Sequence, residues 1–243
     1  MGHSSRFPPA VTDYWHARFH AGTVAHREAG LTVTIDAGLP DDRRAMLLRT
    51  AAGELSAVLR PELADQLDLR SGDRSEAGLH QRLAEAGIEL HGADYLFYFP
   101  SAEADAVRRE PAQPAVRQLT SDDAGAFAGF AAAAPEPDRE DAFVELDHWV
   151  VFGSFDQDRL VCAASMYPWD GPRLADLGVL TLPGFRGRGH ARRVVRAISR
   201  HAYRRGCEPQ YRCQLDNQAS VALAKSAGLA LFGTWDVASS AAD

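Results

Sequence analysis

The sequence predicts an α/β protein built on a mixed β-sheet with helices on both faces. Strand-like apolar runs and helix-like periodic segments alternate along the chain. One segment, residues 176–205, joins a buried strand to a glycine-rich loop and an amphipathic helix. With 243 residues and 46% hydrophobic composition, the chain is long enough for one large domain or two modest ones with packed cores.

Residues 1–112 are predicted to form a smaller α/β lobe. Residues 11–28 have the apolar spacing of an amphipathic helix closed by Gly30, and residues 31–35 alternate as a strand does. The next segments fit two hairpin strands, two short helices and one further strand: residues 45–50, 55–59, 61–67, 75–86 and 95–99. The proline- and charge-rich residues 101–114 are expected to be the linker to the rest of the chain.

Residues 113–243 are predicted to supply most of the sheet. Ser121 is the expected N-cap of a helix that runs through Ala132, and Pro135 should end that helix. Residues 149–152 and 160–167 fit an antiparallel strand pair. The remaining segments are expected in the order strand, helix, strand, short helix and strand: residues 176–182, 191–205, 210–215, 217–228 and 229–237.

The glycine-rich loop predicts a site for a phosphate-bearing ligand. Three glycines stand in the six residues 184–189, directly after Pro183 and before the helix. Unpaired N–H groups at a helix start point toward an anion, and the helix dipole favours negative charge there. Glycine also lets the backbone approach a phosphate that a side chain would hold off.

Two common phosphate-binding motifs do not fit this loop. A P-loop needs lysine and a hydroxyl residue after its last glycine, but His190 and Ala191 follow Gly189. The dinucleotide-binding fingerprint needs a third glycine where Arg192 stands. The pattern Arg186-x-x-Gly189-x-Ala191 resembles instead the acyl-CoA pyrophosphate loop of the GNAT acetyltransferase superfamily.

A second motif supports this resemblance. Asn217-x-x-Ser220, followed by a short helix that ends at Gly228-Leu229, is similar to the Asn-x-x-Ser/Ala motif of the same superfamily. It follows the glycine loop and a predicted strand in the superfamily's order. The resemblance covers about residues 113–243, so the first lobe is either a structural support or a cover that selects the acceptor.

The resemblance implies both a fold and a reaction. The fold is a mixed, mostly antiparallel sheet in a GNAT-like C-terminal domain, residues 113–243, with residues 1–112 as the N-terminal α/β lobe. The reaction is N-acetyl transfer from acetyl-CoA, as co-substrate, to the primary amine of a small molecule, with amino acids and peptide ends included. It proceeds in a ternary complex, with neither a metal nor a covalent enzyme intermediate.

The resemblance also implies which residues bind the cofactor. In the superfamily, the strand before the loop splays around a bulge and pairs with the pantetheine arm, while loop amides hold the pyrophosphate. The motif asparagine commonly reaches the pantetheine or the leaving thiolate. In this sequence the matching residues are Val179, Leu180, Thr181, Arg186, Gly187, Arg188, Gly189, His190, Ala191, Arg192, Asn217 and Ser220.

The acid and the base depart from the superfamily's usual pattern. Many members carry a tyrosine seven residues after the motif asparagine, where this chain has Ala224. Tyr211 is then a candidate acid, with Tyr167 or water as alternatives. The thiolate can also leave unprotonated, which a thiol pKa of about 8.5 tolerates. Asp176, on the strand before the loop, is the candidate base, and a solvated or salt-bridged Asp176 is the alternative.

Two residues are candidates for binding the acceptor. Arg212 lies five residues before the motif asparagine, where the superfamily's strand faces the cleft. A guanidinium can hold a carboxylate of the acceptor, and an ion pair with Asp216 or Glu208 is the alternative. Glu145 is a candidate for lining the acceptor side, with a solvated charged loop as the alternative.

Net charge, hydrophobic runs and cysteine spacing limit the classes of protein to which this chain can belong. A net charge of −7 argues against a general nucleic-acid binder and favours cationic partners such as a small-molecule amine. No apolar run approaches the roughly 18 residues of a membrane span, and residues 1–10 lack a signal-peptide core, so a cytoplasmic location is expected. The three cysteines lack metal-like spacing and are expected to be reduced thiols. A homodimer is an assembly that these features allow.

Two other functions stay open. A non-catalytic acyl-CoA-binding sensor or assembly module would fit the replacement of the usual tyrosine by Ala224. An acetyltransferase that acts on charged RNA would fit the eight arginines between Arg186 and Arg205, although the net charge opposes it. Those arginines also fit a solvated helix face, and Arg186, Arg188 and Arg192 fit equally contacts with CoA phosphates.

Overall fold

The computed structural model describes residues 6–28, 30–67, 75–171 and 173–238. In chain order the strands are β1 (Thr23–Glu28), β2 (Leu31–Ile35), β3 (Ala45–Thr50), β4 (Leu55–Leu59), β5 (Asp94–Tyr98), β6 (Val116–Leu119), β7 (Val150–Asp156), β8 (Arg159–Trp169), β9 (Leu174–Thr181), β10 (Glu208–Gln214) and β11 (Ala230–Ala238). The α-helices are α1 (Pro9–His20), α2 (Pro61–Gln66), α3 (Glu76–Glu85), α4 (Ser101–Arg109), α5 (Ala124–Ala132), α6 (Glu136–Ala142), α7 (His190–Arg204) and α8 (Gln218–Ala227).

The chain forms two compact units that interleave in sequence. The larger unit combines the stretch up to Val11 with Phe97–Arg212 and Asn217–Ala230. The smaller unit combines Thr12–Leu96 and Cys213–Asp216 with the C-terminal stretch from Leu231. The predicted boundary at residue 112 stays a prediction about domains, and the compact units divide the chain at other positions.

In the larger unit, the strands lie in the order β10-β9-β8-β7-β6, and the end of β5, from Phe97, belongs to this unit as well. Strands β6 to β9 pair antiparallel with their neighbours, whereas β9 and β10 are parallel. Helix α7 packs on β7, β8 and β9. Phe127 and Phe130 of α5 pack with Ala163 of β8 and Leu180 of β9. This confirms the predicted mixed, mostly antiparallel sheet with helices.

In the smaller unit, the strands lie in the order β1-β2-β4-β3-β11. The β2–β4 pair is parallel, and the β1–β2, β3–β4 and β3–β11 pairs are antiparallel. Leu47 and Leu59 form its core with Leu63 of α2 and Leu79 and Leu83 of α3. Ser75 caps α3 as the sequence suggests, because its side chain accepts a 3.1 Å bond from the Gly78 amide.

The helix predicted over residues 11–28 is wrong beyond His20. Residues 23–28 form β1, which pairs with β2 across Gly30, whose φ is +84°. Gly22 separates the helix from the strand, and a Cβ there would lie 2.0 Å from the carbonyl oxygen of Ile35. The strand is mostly exposed, so its side chains show no apolar alternation from which it could be predicted.

The linker predicted over residues 101–114 is also wrong, because it begins with helix α4. Ala104 and Val107 lie on the buried side of that helix. The two prolines that suggested a linker, Pro111 and Pro114, lie beyond the helix end at Arg109. No helix of the described ranges is long and apolar enough to cross a membrane.

The chain on either side of α5 differs from the prediction. Thr120, not Ser121, is the N-cap after β6; it caps the 3₁₀ turn Ser121–Asp123 that precedes α5 and forms a reciprocal capping box with Asp123. The chain becomes helical again directly after Pro135, as α6. Proline fits the start of a helix because the first N–H groups have no intrahelical acceptor.

Candidate active site

The parallel strands β9 and β10 separate partway along their length. Their pairing runs from Leu174 with Glu208 to Leu177 with Tyr211. Strand β9 then continues to Thr181, paired with β8 on its other side. The described part of the chain therefore leaves the β10-facing edge of residues 178–181 without a ladder partner. A gap of this kind offers backbone donors and acceptors to an extended ligand.

The glycine loop leads from β9 into an open helix start. Gly187 and Gly189 have φ values of +74° and +80°, which favour glycine, and Gly189 is the N-cap of α7. The N-cap has no side-chain cap, and the first bond of the helix joins the Arg193 amide to the Gly189 carbonyl at 3.1 Å. The amides before Arg193 lie at the positive end of the α7 dipole. They form an anion-binding arrangement.

The gap and the helix start border one cavity of about 610 Å³ within the larger unit. Of the twelve predicted cofactor residues, all except Arg188 line it: Val179, Leu180, Thr181, Arg186, Gly187, Gly189, His190, Ala191, Arg192, Asn217 and Ser220. Tyr211 lines it as well.

The sequence did not indicate the other walls of this cavity. Helix α6 contributes Asp138, Asp141 and Ala142, and α8 contributes Ala219, Ala222, Leu223 and Ser226. Sequence spacing shows that residues share a helix face but not what that face contacts. From the sequence, only a helix end at Pro135 is expected in this region, so the acidic residues of α6 are not predicted to border a cavity.

Two arginines of the loop make contacts within the protein. The Arg186 guanidinium donates to Asp138 Oδ2 at 2.6 Å and to the Thr181 carbonyl at 3.3 Å, so it joins the loop to α6. The Arg188 guanidinium lies 5.2 Å from the centre of the Phe185 ring. Arg188 thus stacks on the turn before the loop and does not line the cavity.

Farther along α7, the arginines hold helices together. Arg196 donates at 2.6 Å to both Glu103 and Glu110, and at 2.7 Å to the carbonyl of Ala227. Arg200 donates to the carbonyl of Glu110. Helix packing, rather than a ligand, therefore explains the presence of Arg196 and Arg200 on α7.

His190 anchors the first turn of α7 to the sheet. Its ring is buried, and Nδ1 lies 2.9 Å from Ser154 Oγ on β7 and 3.1 Å from Nη2 of Arg193. Burial, followed by the charge of Arg193, lowers the pKa of this imidazole. Because a guanidinium can only donate, Nδ1 is the acceptor, and the neutral ring fixes the position of the helix start.

Asp176 lies at the centre of a buried hydrogen-bond network. It is 5% exposed, and its Oδ1 accepts from Nε2 of Gln210 at 3.0 Å. Its Oδ2 accepts from the Tyr167 hydroxyl at 3.1 Å, and from Nε and Nη2 of Arg212 at 3.0 and 2.8 Å. Gln210 in turn accepts from the hydroxyl of Tyr98. The base role of Asp176 stays a prediction, and these contacts favour the salt-bridged alternative.

Arg212 therefore has a different ionic partner from those expected. The sequence suggested Asp216 or Glu208, but the guanidinium pairs with Asp176 and lies 5.5 Å from the Trp169 ring centre. The register explains this choice: Gln210 lies beside Asp176, and Arg212 follows on the same face by the two-residue period. Glu208 pairs instead with Arg108 at 3.4 Å.

Tyr211 alternates to the opposite face of β10 from Arg212 and Gln210. It is buried, with its ring centre 6.4 Å from that of Phe97, and it reaches the cavity wall. Ala224, at the superfamily's usual tyrosine position, is fully buried and is not among the residues that line the cavity. Glu145 is exposed in the segment between α6 and β7 and lies outside that lining.

One further cluster, which no sequence motif indicates, lies beside Asp176. The rings of Phe143, His148 and Tyr167 lie 4.9 to 5.7 Å apart, centre to centre. His148 also places Nδ1 at 2.8 Å from Ser165 Oγ on β8. No spacing motif links these residues, since they meet only through the pairing of β7, β8 and β9.

The described residues contain no group of three or more metal-ligating side chains placed to hold an ion. Cys162, Cys207 and Cys213 are free thiols. Burial raises the pKa of Cys162 to about 12, and Thr181 donates to its sulfur at 3.1 Å. This thiol is a packed core group rather than a nucleophile.

A family model described as Acetyltransferase (GNAT) family matches residues 84–229. No curated protein matches the chain in sequence. Among solved structures, a GNAT-family acetyltransferase from Colwellia psychrerythraea is 19% identical, with 75% of each chain covered and a TM-score of 0.50. At this identity the likeness shows the fold alone.

Two further structures are similar over shorter stretches. A protein assigned as a GNAT-family acetyltransferase from Novosphingobium aromaticivorans is 22% identical, with a TM-score of 0.47. The match covers 63% of this chain and 66% of that one, just under two thirds of its length. The aminoglycoside N-acetyltransferase AAC(6')-Iy, in complex with CoA, is 22% identical over 46% of this chain and 89% of its own, with a TM-score of 0.37.

Proposed function

Because the chain belongs to the acetyltransferase (GNAT) family, we propose that it transfers an acetyl group from acetyl-CoA to the primary amine of a small molecule, amino acids and peptide ends included. The observation that carries this proposal is the single cavity in which the β9–β10 gap meets the glycine loop and the open start of α7. An extended arm and a pyrophosphate need these two features side by side.

The cofactor follows the cavity wall in this proposal. Pantetheine lies along the unpaired edge of residues 179–181, where backbone groups take the place of a neighbouring strand. The pyrophosphate accepts hydrogen bonds from the amides of residues 187–192, with Arg192 beside it. Asn217 caps α8 through its Oδ1, which accepts from the Ser220 amide at 3.0 Å, so its amide nitrogen is left to donate to the cofactor.

The chemistry uses the same gap. An uncharged amine attacks the thioester carbonyl, and an N–H group on the free edge of β9 stabilises the oxyanion that develops. Tyr211 is the proposed acid for the leaving thiolate, supported by its place on the cavity wall. Thiolate is a tolerable leaving group near neutral pH, so loss of Tyr211 should lower the rate only moderately.

Glycine substitutions at the two ends of α7 test the cofactor site. Gly187 and Gly206 both have positive φ, +74° and +78°, with open space where a Cβ would stand, but only Gly187 lines the cavity. Gly187→Ala should weaken CoA binding about 10- to 100-fold in calorimetry, the scale of about 1.5–3 kcal/mol for charged hydrogen bonds. Gly206→Ala carries the same backbone strain and should leave CoA affinity unchanged. Equal affinities of the two variants would contradict the assignment.

A second candidate is an acyl-CoA-binding module without turnover. The specific observation in its favour is that the usual tyrosine position is a buried alanine, Ala224, and that Asp176 is saturated by donors. Thiol release from acetyl-CoA with a panel of primary amines separates the two functions. Binding of acetyl-CoA without amine-dependent thiol release would select the module.

A further inference from the structure

The face of the sheet that carries Asp176 holds a second group of side chains that the proposed cofactor site does not use. In the β8–β9 register, Tyr167 pairs with Asp176, Ser165 with Gly178, and Ala163 with Leu180. Directly opposed residues of antiparallel strands share a face. Ala163 and Leu180 pack in the core that contains Phe127 and Phe130, so this is the α5 face.

His148 is held on this face beside the point where β9 and β10 separate. Its Nδ1 lies 2.8 Å from Ser165 Oγ, and Ser165 is fully buried. Ser165 is paired with Gly178, the last residue before the segment that lines the cavity. Neighbouring strands are about 4.8 Å apart, so Ser165, which holds the imidazole, lies about one strand spacing from β9.

Three ionisable groups beside His148 are committed to different roles. Asp176 accepts four hydrogen bonds, including two from Arg212. Burial and the Asp176 charge raise the pKa of Tyr167 to about 12, and its hydroxyl donates to that carboxylate. Arg212 is a permanent cation and accepts no proton. The imidazole of His148, in contrast, has a ring nitrogen that can accept a proton.

We propose that His148 is the general base that takes the proton from the acceptor amine, and that Ser165 positions its ring. The assignment rests on the proposed acetyl transfer. Nδ1–H donates to Ser165 Oγ, which leaves the lone pair of the ring on Nε2. Phe143 and Tyr167, at 4.9 and 5.1 Å between ring centres, restrict the imidazole to this orientation.

The proposed step balances as follows. The ammonium form of the acceptor gives one proton to Nε2 of His148, and the freed nitrogen lone pair forms a bond to the thioester carbonyl carbon. The tetrahedral intermediate collapses, the C–S bond breaks, and its electron pair leaves on the CoA sulfur. Tyr211 gives its proton to that thiolate and takes up the second nitrogen proton, and the imidazolium releases its proton to solvent. The products are the acetamide, CoA thiol and one proton.

The base assignment can be tested with the full chain, acetyl-CoA and two acceptor amines of different charge. Butylamine is a cation near neutral pH and needs a base before it can attack, whereas hydroxylamine is already uncharged. His148→Gln should lower kcat/KM for butylamine by about 100-fold or more, the scale of general base catalysis. The loss with hydroxylamine should be several-fold smaller. CoA affinity and thermal stability should stay at wild-type values.

A matched imidazole serves as control. His201 is also half-buried and lies against two aromatic rings, 5.7 Å from Phe152 and 6.3 Å from Trp149, but it stands on α7. His201→Gln should leave both reactions unchanged. Added imidazole should restore butylamine turnover in His148→Ala, which a side chain with only a packing role would not allow.

The outcomes distinguish a failure of the His148 base assignment from a failure of the proposed acetyltransferase function. Wild-type butylamine turnover in His148→Gln, or an equal loss with both amines and no imidazole rescue, would overturn the assignment and leave the acetyltransferase proposal standing. Acetyl-CoA binding without thiol release by the wild type with either amine would overturn the proposed function, and the base assignment with it. Ser165→Ala should lower kcat for butylamine several-fold without changing CoA affinity.

Discussion

At the scale of single residues, the buried carboxylate of Asp176 is the centre of a hydrogen-bond network in the larger unit. A charge removed from water is costly unless it is paired and hydrogen-bonded. Here the guanidinium of Arg212 supplies the opposite charge, and Tyr167 and Gln210 supply neutral donors. The Arg212–Asp176 ion pair links β10 to β9 just before the two strands separate.

Removal of Arg212 should therefore act first on stability. Arg212→Met leaves the Asp176 carboxylate buried without its cation and should lower the free energy of unfolding by about 3 kcal/mol in urea titrations. The matched control is Arg117→Met. Its guanidinium donates to both oxygens of Asp123 at 2.9 and 2.6 Å but is 52% exposed, so less than about 1 kcal/mol should be lost.

An effect of the same variant on substrate binding, without an effect on stability, would be the contrary outcome. If Arg212→Met kept wild-type stability and raised only the KM for amines that carry a carboxylate, Arg212 would bind the acceptor, as the sequence suggested. Asp176→Asn combined with Arg212→Met should recover most of the lost stability, because neither partner then leaves an unpaired charge.

At the scale of elements, the end of α6 lies directly on β9. A Cβ built on Gly178 would stand 1.9 Å from the carbonyl oxygen of Ala142, so only glycine admits this approach. Phe143 follows with a left-handed backbone, φ +45°, which turns the chain after the helix. The Arg186–Asp138 pair fixes the other part of α6 to the glycine loop. The helix thus has two attachments beside the cavity.

Substitution of Gly178 should separate α6 from the strand. Gly178→Ala forces the backbone of Ala142 away and should cost about 2 kcal/mol of unfolding free energy, as overpacking does. Gly129→Ala, on the exposed face of helix α5 and with open space around its Cβ, should instead gain about 0.5–1 kcal/mol. Thermal unfolding of both variants checks the opposite signs, and a stable Gly178→Ala would contradict the close contact.

At the scale of the whole molecule, the two units share the chain in alternating pieces. The larger unit needs α4, because Glu103 and Glu110 neutralise Arg196 of α7. The smaller unit needs β11, which pairs with β3. Each unit thus depends on residues from both sides of position 112.

Residues 113–243 alone should therefore fail to fold. The fragment lacks α4 and β5 and leaves β11 without β3, so circular dichroism should show no cooperative thermal transition. Coexpression with residues 1–112 should restore the transition. A fragment that unfolds cooperatively by itself would support the simple two-domain division expected from the sequence.

The strongest local patterns predicted most of the larger unit. The strand, glycine loop and helix around residues 176–205, and the Asn217 motif, were located from sequence because their chemistry is local. Helix α4 was missed because prolines just beyond it suggested a linker, and β1 because its side chains are exposed. His148 and the partner of Arg212 depend on strand register between distant residues, which no local pattern contains.

The pairing of β3 with β11 also has a consequence for the chain during its synthesis. Strand β3 contains the apolar run Ala45–Met46–Leu47–Leu48, and its hairpin partner β4 is available within a few residues. Its other edge is covered only by β11, which leaves the ribosome about 180 residues later in the order of translation. Until then this apolar edge is an open template for pairing with another chain. The nascent protein should therefore depend on a chaperone until β11 emerges.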